Sequence, residues 1–80
     1  MADTMLHMEL VKADILTPGQ LMIGDLIGID EDIVEVLEVV DHENGSDFYI
    51  DYQNEFGEVD RVVAEYDETF PLYVFIEQDL

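Results

Sequence analysis

The sequence predicts a small, mainly β domain, a barrel of five to six short strands with one short 3₁₀ helical turn. From Gly24 onward, short runs rich in Val, Ile, Phe and Tyr are separated by turn residues, a pattern typical of small barrels and sandwiches. The chain has 80 residues, of which 49% are hydrophobic, enough for a single modest core. We therefore expect one folded domain spanning residues 1–80.

The N-terminal part of the chain gives the weakest structural signal. Residues 6–10 alternate apolar with polar side chains, which predicts either a short, loose strand or a frayed terminus within residues 1–15. Thr17 and Pro18 then suit the cap and the first position of a single helical turn, and a turn of this length is usually 3₁₀. That turn is expected to end by Gly24.

Five strands follow, at residues 25–29, 33–41, 48–53, 59–63 and 72–76. Between the second and third strands, Asn44-Gly45 is a strong hairpin signal because both residues tolerate positive φ. Pro71 cannot donate to a ladder, so it belongs at the start of the last strand or on an exposed edge. The last residues, 77–80, are expected to fray.

One segment, DEDIVEVLEVVD at residues 30–41, allows two interpretations. A helix is the alternative, since Glu and Leu favour helices. The segment is also rich in β-branched Val and Ile, which lose rotamer freedom in a helix and pack well in a sheet. We therefore predict a strand that begins after a tight acidic turn.

The stretch GDLIGIDEDIVEVLEV, followed by the Asn-Gly hairpin, resembles the opening of SH3-like barrels in translation and transcription factors. The resemblance covers roughly residues 20–75 and is a pattern of strands and turns, so it implies a fold and not a function. Nucleic-acid-binding barrels of this kind rely on basic loops, whereas the corresponding loops here, residues 30–32 and 41–47, are acidic. Binding of RNA or DNA is not implied.

Charge is the most unusual property of the sequence. The chain has 21 Asp and Glu residues but only two basic residues, Lys12 and Arg61, which gives a formal net charge of -19. Such a chain repels nucleic acids and anionic membranes and attracts basic proteins. Halophilic adaptation is the alternative explanation, although a chain poor in Ala and rich in Ile does not fit it well. The absence of Cys favours a reducing cytoplasm, and no export signal or membrane span is expected.

Catalytic, cofactor and metal sites are not predicted. The chain has no Cys, one Ser and two His, too few groups for an activated nucleophile and its base. An EF-hand fails on spacing, because counting from Asp41 the sixth residue is Ser46 and the twelfth is Tyr52. Arg61 is expected to pair across strands with Asp51 or Glu38, and His42 to be solvated.

These observations predict a non-enzymatic acidic protein that binds a basic protein surface as an inhibitor or adaptor. A narrower hypothesis is a DNA mimic that competes for a DNA-binding protein. A compact domain of this length is about 30 Å across, and 30 Å of duplex carries about 18 phosphate charges. In its small size, strong acidity and lack of Cys, the chain resembles bacteriophage-encoded proteins that take over host functions from within the host cytoplasm. A structural or assembly component and a cation-binding protein remain alternatives.

The candidate partner-binding surface follows from the clustering of carboxylates along the second and third of these strands, with one tyrosine as an apolar anchor. Its members are Asp30, Glu31, Asp32, Glu35, Glu38, Asp41, Glu43, Asp47, Tyr49 and Asp51.

Overall fold

A computed structural model of the chain describes residues 6–42 and 45–79. In that part of the chain six antiparallel strands form one sheet, and a single 3₁₀ turn, Pro18–Gln20, precedes the second strand. The strands are β1 (Leu6–Leu16), β2 (Leu26–Ile29), β3 (Asp32–Asp41), β4 (Asp47–Gln53), β5 (Val59–Glu65) and β6 (Phe70–Asp79). The predicted mainly β fold, with five to six strands and one 3₁₀ turn, is confirmed.

The strand order in the sheet is β1-β6-β2-β3-β4-β5. Strands β2 to β5 are consecutive neighbours, while β6 returns to pair with β2, and β1 pairs with the far side of β6. Within the described residues, β1 and β5 are therefore the edges of the sheet.

The core lies on one face of this sheet and is contributed by β2 to β6 and the segment before β2. Its buried members are Leu21, Ile27, Val34, Val36, Ile50, Ala64 and Phe70. Ala64 on β5 and Phe70 on β6 belong to the same cluster although their strands are not neighbours. A single sheet brings such strands together only by curving strongly, and the residues that alternate with the buried ones then point outward.

The 3₁₀ turn is fixed by local hydrogen bonds at the position that the sequence predicts. The backbone N–H of Thr17 donates to Oε1 of Gln20 over 2.9 Å, and the Gln20 N–H donates to the Thr17 carbonyl over 2.9 Å. Pro18 sets the first φ angle of the turn and its side chain is buried. The turn thus holds the N-terminal segment against the core.

Strands β2 and β6 approach each other closely at Gly28. A Cβ atom at this position would lie 2.8 Å from Cγ of Pro71 and 3.4 Å from Cε2 of Tyr73, so only glycine fits without displacing β6. Pro71 is the second residue of β6, in agreement with its expected place at the start of a strand.

Beyond Tyr73, β6 leaves β2 and pairs only with β1 in the described chain. Residues 6–11 and 74–79 thereby form a two-stranded extension, which we call the distal ribbon. The molecule measures 60 × 24 × 20 Å with a radius of gyration of 15.1 Å, against about 12 Å for a compact chain of this length. The expected 30 Å diameter is thus exceeded along one axis.

The two chain ends also differ from the sequence prediction. β1 is a full strand of 11 residues, and β6 continues through Asp79, which pairs with Leu6. The predicted last strand ended at Ile76 because no partner for its continuation can be identified from sequence. Residues 1–5 and Leu80 lie outside the described residues. The described part of the chain contains no helix that could cross a lipid bilayer.

Candidate functional site

The outward side chains of β3, β4 and β5 form a surface opposite the core, which we call the outer face. Its central row consists of Glu38, Asp51 and Arg61, which are cross-strand partners. The next row consists of Val40, Tyr49 and Val63. Exposed aliphatic side chains and a tyrosine thus lie directly beside carboxylates and the chain's single arginine.

A β-bulge decides which way Glu38 points. The register between β3 and β4 shifts between Val36 and Glu38, so Leu37 is an extra residue in β3. Simple alternation from the buried Val34 and Val36 would turn Glu38 toward the core. The bulge reverses the phase, so Glu38 is exposed and lies opposite Asp51.

Arg61 binds Asp51 through two hydrogen bonds. Its Nε lies 2.6 Å from Oδ1 and its Nη2 lies 3.1 Å from Oδ2 of Asp51, the planar geometry in which a guanidinium binds a carboxylate best. The hydrogen bond from Arg61 lowers the pKa of Asp51 below its ordinary value. The guanidinium carbon also lies 5.0 Å from the centroid of the Tyr49 ring, within cation–π range. The predicted cross-strand pairing of Arg61 with Asp51 is confirmed.

His42 is not the solvated residue that the sequence suggested. Its ring packs edge-on against Tyr49 with a centroid separation of 5.0 Å, and its Nδ1 is buried without a hydrogen-bond partner in the described structure. The sequence shows only acidic and polar neighbours around His42, whereas the β3–β4 pairing brings Tyr49 against it. His42 thus belongs to the packing that orients the Tyr49 ring.

The candidate residues from the sequence are distributed over three places. Glu35, Glu38, Asp47, Tyr49 and Asp51 lie on the outer face, as strand alternation and the bulge require. The turn between β2 and β3 carries Asp30, Glu31 and Asp32, all exposed.

Of the remaining two candidates, the structure describes only Asp41. Asp41 is exposed at the end of β3 but follows Val40, so it points to the opposite side of the sheet. Glu43 lies outside the described residues.

The structure also contains a groove that the sequence does not reveal. It has a volume of about 520 Å³ and lies between the distal ribbon, the β2–β3 hairpin and the β4–β5 turn. Apolar side chains line it from all three elements: Leu10, Leu26, Ile33, Phe56 and Phe75. Four carboxylates and two amides complete the lining: Glu31, Asp32, Glu35, Glu55, Gln53 and Asn54. We call this feature the acidic groove.

Phe56 is held at the edge of the acidic groove by a hydrogen-bonded turn. Oδ1 of Asn54 accepts from the backbone N–H of Phe56 over 2.9 Å and from that of Glu58 over 3.0 Å. The Gly57 N–H donates to the Asn54 carbonyl over 3.0 Å, and Gly57 has φ +79°, a conformation that favours glycine. These bonds leave the Phe56 side chain 79% exposed.

A smaller recess of about 290 Å³ lies on the opposite side of the β2–β3 turn. The Tyr52 phenol lines it together with Asp30, Asp32 and Asp60. Burial raises the pKa of Tyr52, and the negative charges of these three carboxylates raise it further. In the described part of the chain, no three carboxylate or imidazole groups converge in a way that could hold a metal ion.

No protein-family model, curated protein or solved structure shows significant similarity to this chain. The outer face and the acidic groove are therefore the features from which a function can be proposed.

Proposed function

We propose that this chain is a small, acidic, non-enzymatic protein that binds a basic protein surface as an inhibitor or adaptor. The observation that carries the proposal is the outer face, where Tyr49 and the exposed Val63 lie among carboxylates. Aromatic side chains with a surrounding polar rim are characteristic of protein–protein interfaces. We propose that the chain acts in the cytoplasm, which for a phage-encoded protein is the cytoplasm of the host cell.

The distribution of charge supports a cationic partner. None of the charged side chains whose burial the structure describes is buried, so these carboxylates lie at the molecular surface. Two basic residues can neutralise at most two of the chain's 21 carboxylates. A basic partner relieves the remaining repulsion, and its attraction accelerates association and weakens as salt rises.

DNA mimicry is the narrower form of this proposal and draws less support from the shape. The comparison with duplex DNA assumes that a charge of -19 is spread over about 30 Å, whereas the molecule is 60 Å long. Duplex DNA of that length carries about 35 phosphate charges. The chain therefore presents roughly half the charge density of DNA along its long axis.

A structural or assembly role is a second candidate because the distal ribbon exposes apolar side chains on both of its faces. These are Met8, Val74, Phe75 and Ile76. An assembly component should self-associate more strongly as salt screens its charge. A binder of basic proteins should instead lose its partner under the same change. Sedimentation at low and high salt separates the two functions.

A salt-stepped pull-down tests the proposed function. Tagged wild type is compared with Glu35→Gln/Glu38→Gln, which removes two charges from the outer face, and with Glu9→Gln/Glu77→Gln, which removes two from the ribbon. We expect a specific basic protein that wild type and the ribbon variant retain to moderate salt and that the first variant releases earlier. Equal retention of many basic proteins by all three, with release at low salt, would contradict the proposal.

A further inference from the structure

We infer that the acidic groove binds an extended basic segment of a partner protein, with one bulky apolar side chain of that segment inserted between Phe56 and Phe75. Arg or Lys side chains on either side of it contact the carboxylates of the groove. This inference rests on the proposed function and adds the chemistry of the bound segment.

Three large exposed apolar side chains line this one groove. Phe56 is 79%, Phe75 57% and Ile33 37% exposed, and all three line the same concavity. Single exposed apolar residues are common on proteins, but a group around one cleft characterises a binding site. A volume of about 520 Å³ falls within the range of ligand pockets, about 300–1,000 Å³, and accommodates a few side chains.

The backbone turn that presents Phe56 is fixed before a partner binds. The Asn54 side chain and the positive φ of Gly57 hold it in place. A backbone segment that is already ordered loses little conformational freedom on binding, so more of the contact energy appears as affinity.

Charge complementarity selects the occupant. Glu31, Asp32, Glu35 and Glu55 line the groove, and its described lining includes no basic side chain. An apolar segment without cations leaves these carboxylates to be partly desolvated and unpaired, which is costly. Arg satisfies them best because its guanidinium binds carboxylates bidentately and stacks on aromatic rings such as Phe56.

Continuity with the outer face favours a polypeptide over a free small cation. Gln53 lines the groove and donates a 3.2 Å hydrogen bond from Nε2 to Oε1 of Glu35, which lines it too. Glu35 and Glu38 lie opposite Gln53 and Asp51, which are two residues apart on β4, so the bulged β3 places the two glutamates about 7 Å apart along the strand. An extended segment can thus leave the groove over Glu35 and reach the carboxylate of Glu38.

The absence of Trp from the chain provides a direct test. The probe is a short capped peptide in which one tryptophan is flanked by two arginines, and its fluorescence reports only the peptide. We expect a blue shift on binding, with affinity that falls as salt rises. Phe56→Ser should weaken binding at least about tenfold, or about 1.4 kcal/mol. Ile23→Ser, which truncates a residue 75% exposed outside the groove, should leave affinity unchanged.

The same experiment separates failure of the inference from failure of the proposed function. Unshifted tryptophan emission or equal binding by Phe56→Ser would overturn the groove inference. So would equally effective displacement of the tryptophan peptide by a competitor peptide with serine in place of tryptophan. The proposed function would survive any of these results if Glu35→Gln/Glu38→Gln still loses its lysate partner. Urea unfolding of Phe56→Ser confirms that the variant is folded, and Phe75→Ser provides a second disruption of the same site.

Discussion

The body of the molecule and the distal ribbon are built from the same antiparallel pairing but are stabilised differently. In the body, each strand turns one side toward a shared core in which Ile27, Val36 and Ile50 are fully buried. In the distal ribbon, two strands pair through one ladder and expose apolar residues on both sides. Burial of one sheet face thus stabilises the body, whereas the ribbon relies on cross-strand contacts alone, which contribute much less per residue.

The largest expected difference between the two regions concerns side-chain truncation. Ile50→Ala should lower the free energy of unfolding by about 2–5 kcal/mol because it leaves a cavity in the core. Val11→Ala, where Val11 pairs with Val74 in the ribbon, should cost less than about 1 kcal/mol. Urea unfolding followed by circular dichroism measures both. Equal losses would mean that the ribbon shares the stability of the core.

The junction between β2 and β6, from which the ribbon departs, is tested by substituting glycines. Gly28→Ala should cost about 1–3 kcal/mol, since the added methyl group overlaps Pro71 and forces the strands apart. Gly19→Ala is the matched control, because its methyl group would meet only Cζ of Phe48 at an ordinary 3.8 Å. A Gly28→Ala variant as stable as this control would show that β6 is free to move at the junction.

Hydrogen exchange should resolve the two regions within the wild-type protein. Amides in the ladder between β3 and β4 should exchange at least about tenfold more slowly than those of residues 74–79, a difference of about 1.4 kcal/mol in opening free energy. The reason is that the ribbon can open without exposing the core. Uniform protection would indicate that body and ribbon unfold together.

The smallest expected effect is that of the exposed ion pair on the outer face. Arg61→Gln should lower stability slightly at pH 7, and Lys12→Gln is the control with the same change in net charge. Because Arg61 lowers the pKa of Asp51 from 3.8, the pair stabilises the fold above that pH. Its contribution is lost as the pH falls through the lowered pKa of the folded state.

Urea midpoints measured from pH 7 down to the acid transition test this dependence. The gap between Arg61→Gln and Lys12→Gln should close at the acidic end of the range. A gap that stays constant with pH would mean that Arg61 acts through packing on Tyr49 and not through Asp51.

The sequence predicts the body better than the ribbon for a physical reason. A strand with one buried face shows alternating apolar and polar residues, so the sequence predicts β2 to β5 close to their observed positions. Thr17 and Pro18 likewise predict the 3₁₀ turn. The distal ribbon has no buried face, and the length of β1 follows only from its pairing with β6. The phase change at Leu37 leaves only an ambiguous mark, two adjacent apolar residues between Glu35 and Glu38, because the same spacing also fits the alternative helix.

The candidate surface could be predicted in part for a related reason. Tyr49 and Asp51 flank the buried Ile50 on β4, so alternation predicts that both point outward. The single arginine, Arg61, is surrounded by many carboxylates, so a cross-strand ion pair with one of them could be predicted. The acidic groove could not be predicted, because Ile33, Phe56 and Phe75 come from three elements that meet only in the folded chain.

An amide NMR titration with the arginine-flanked tryptophan peptide tests directly whether the acidic groove and the adjoining outer face form a defined surface for basic proteins. We expect the largest shift changes at Ile33, Glu35, Gln53 and Phe56, with smaller ones reaching Glu38 and little change at Ile23. Changes spread evenly over all acidic segments would contradict this expectation, since the charge would then attract cations without a defined binding surface.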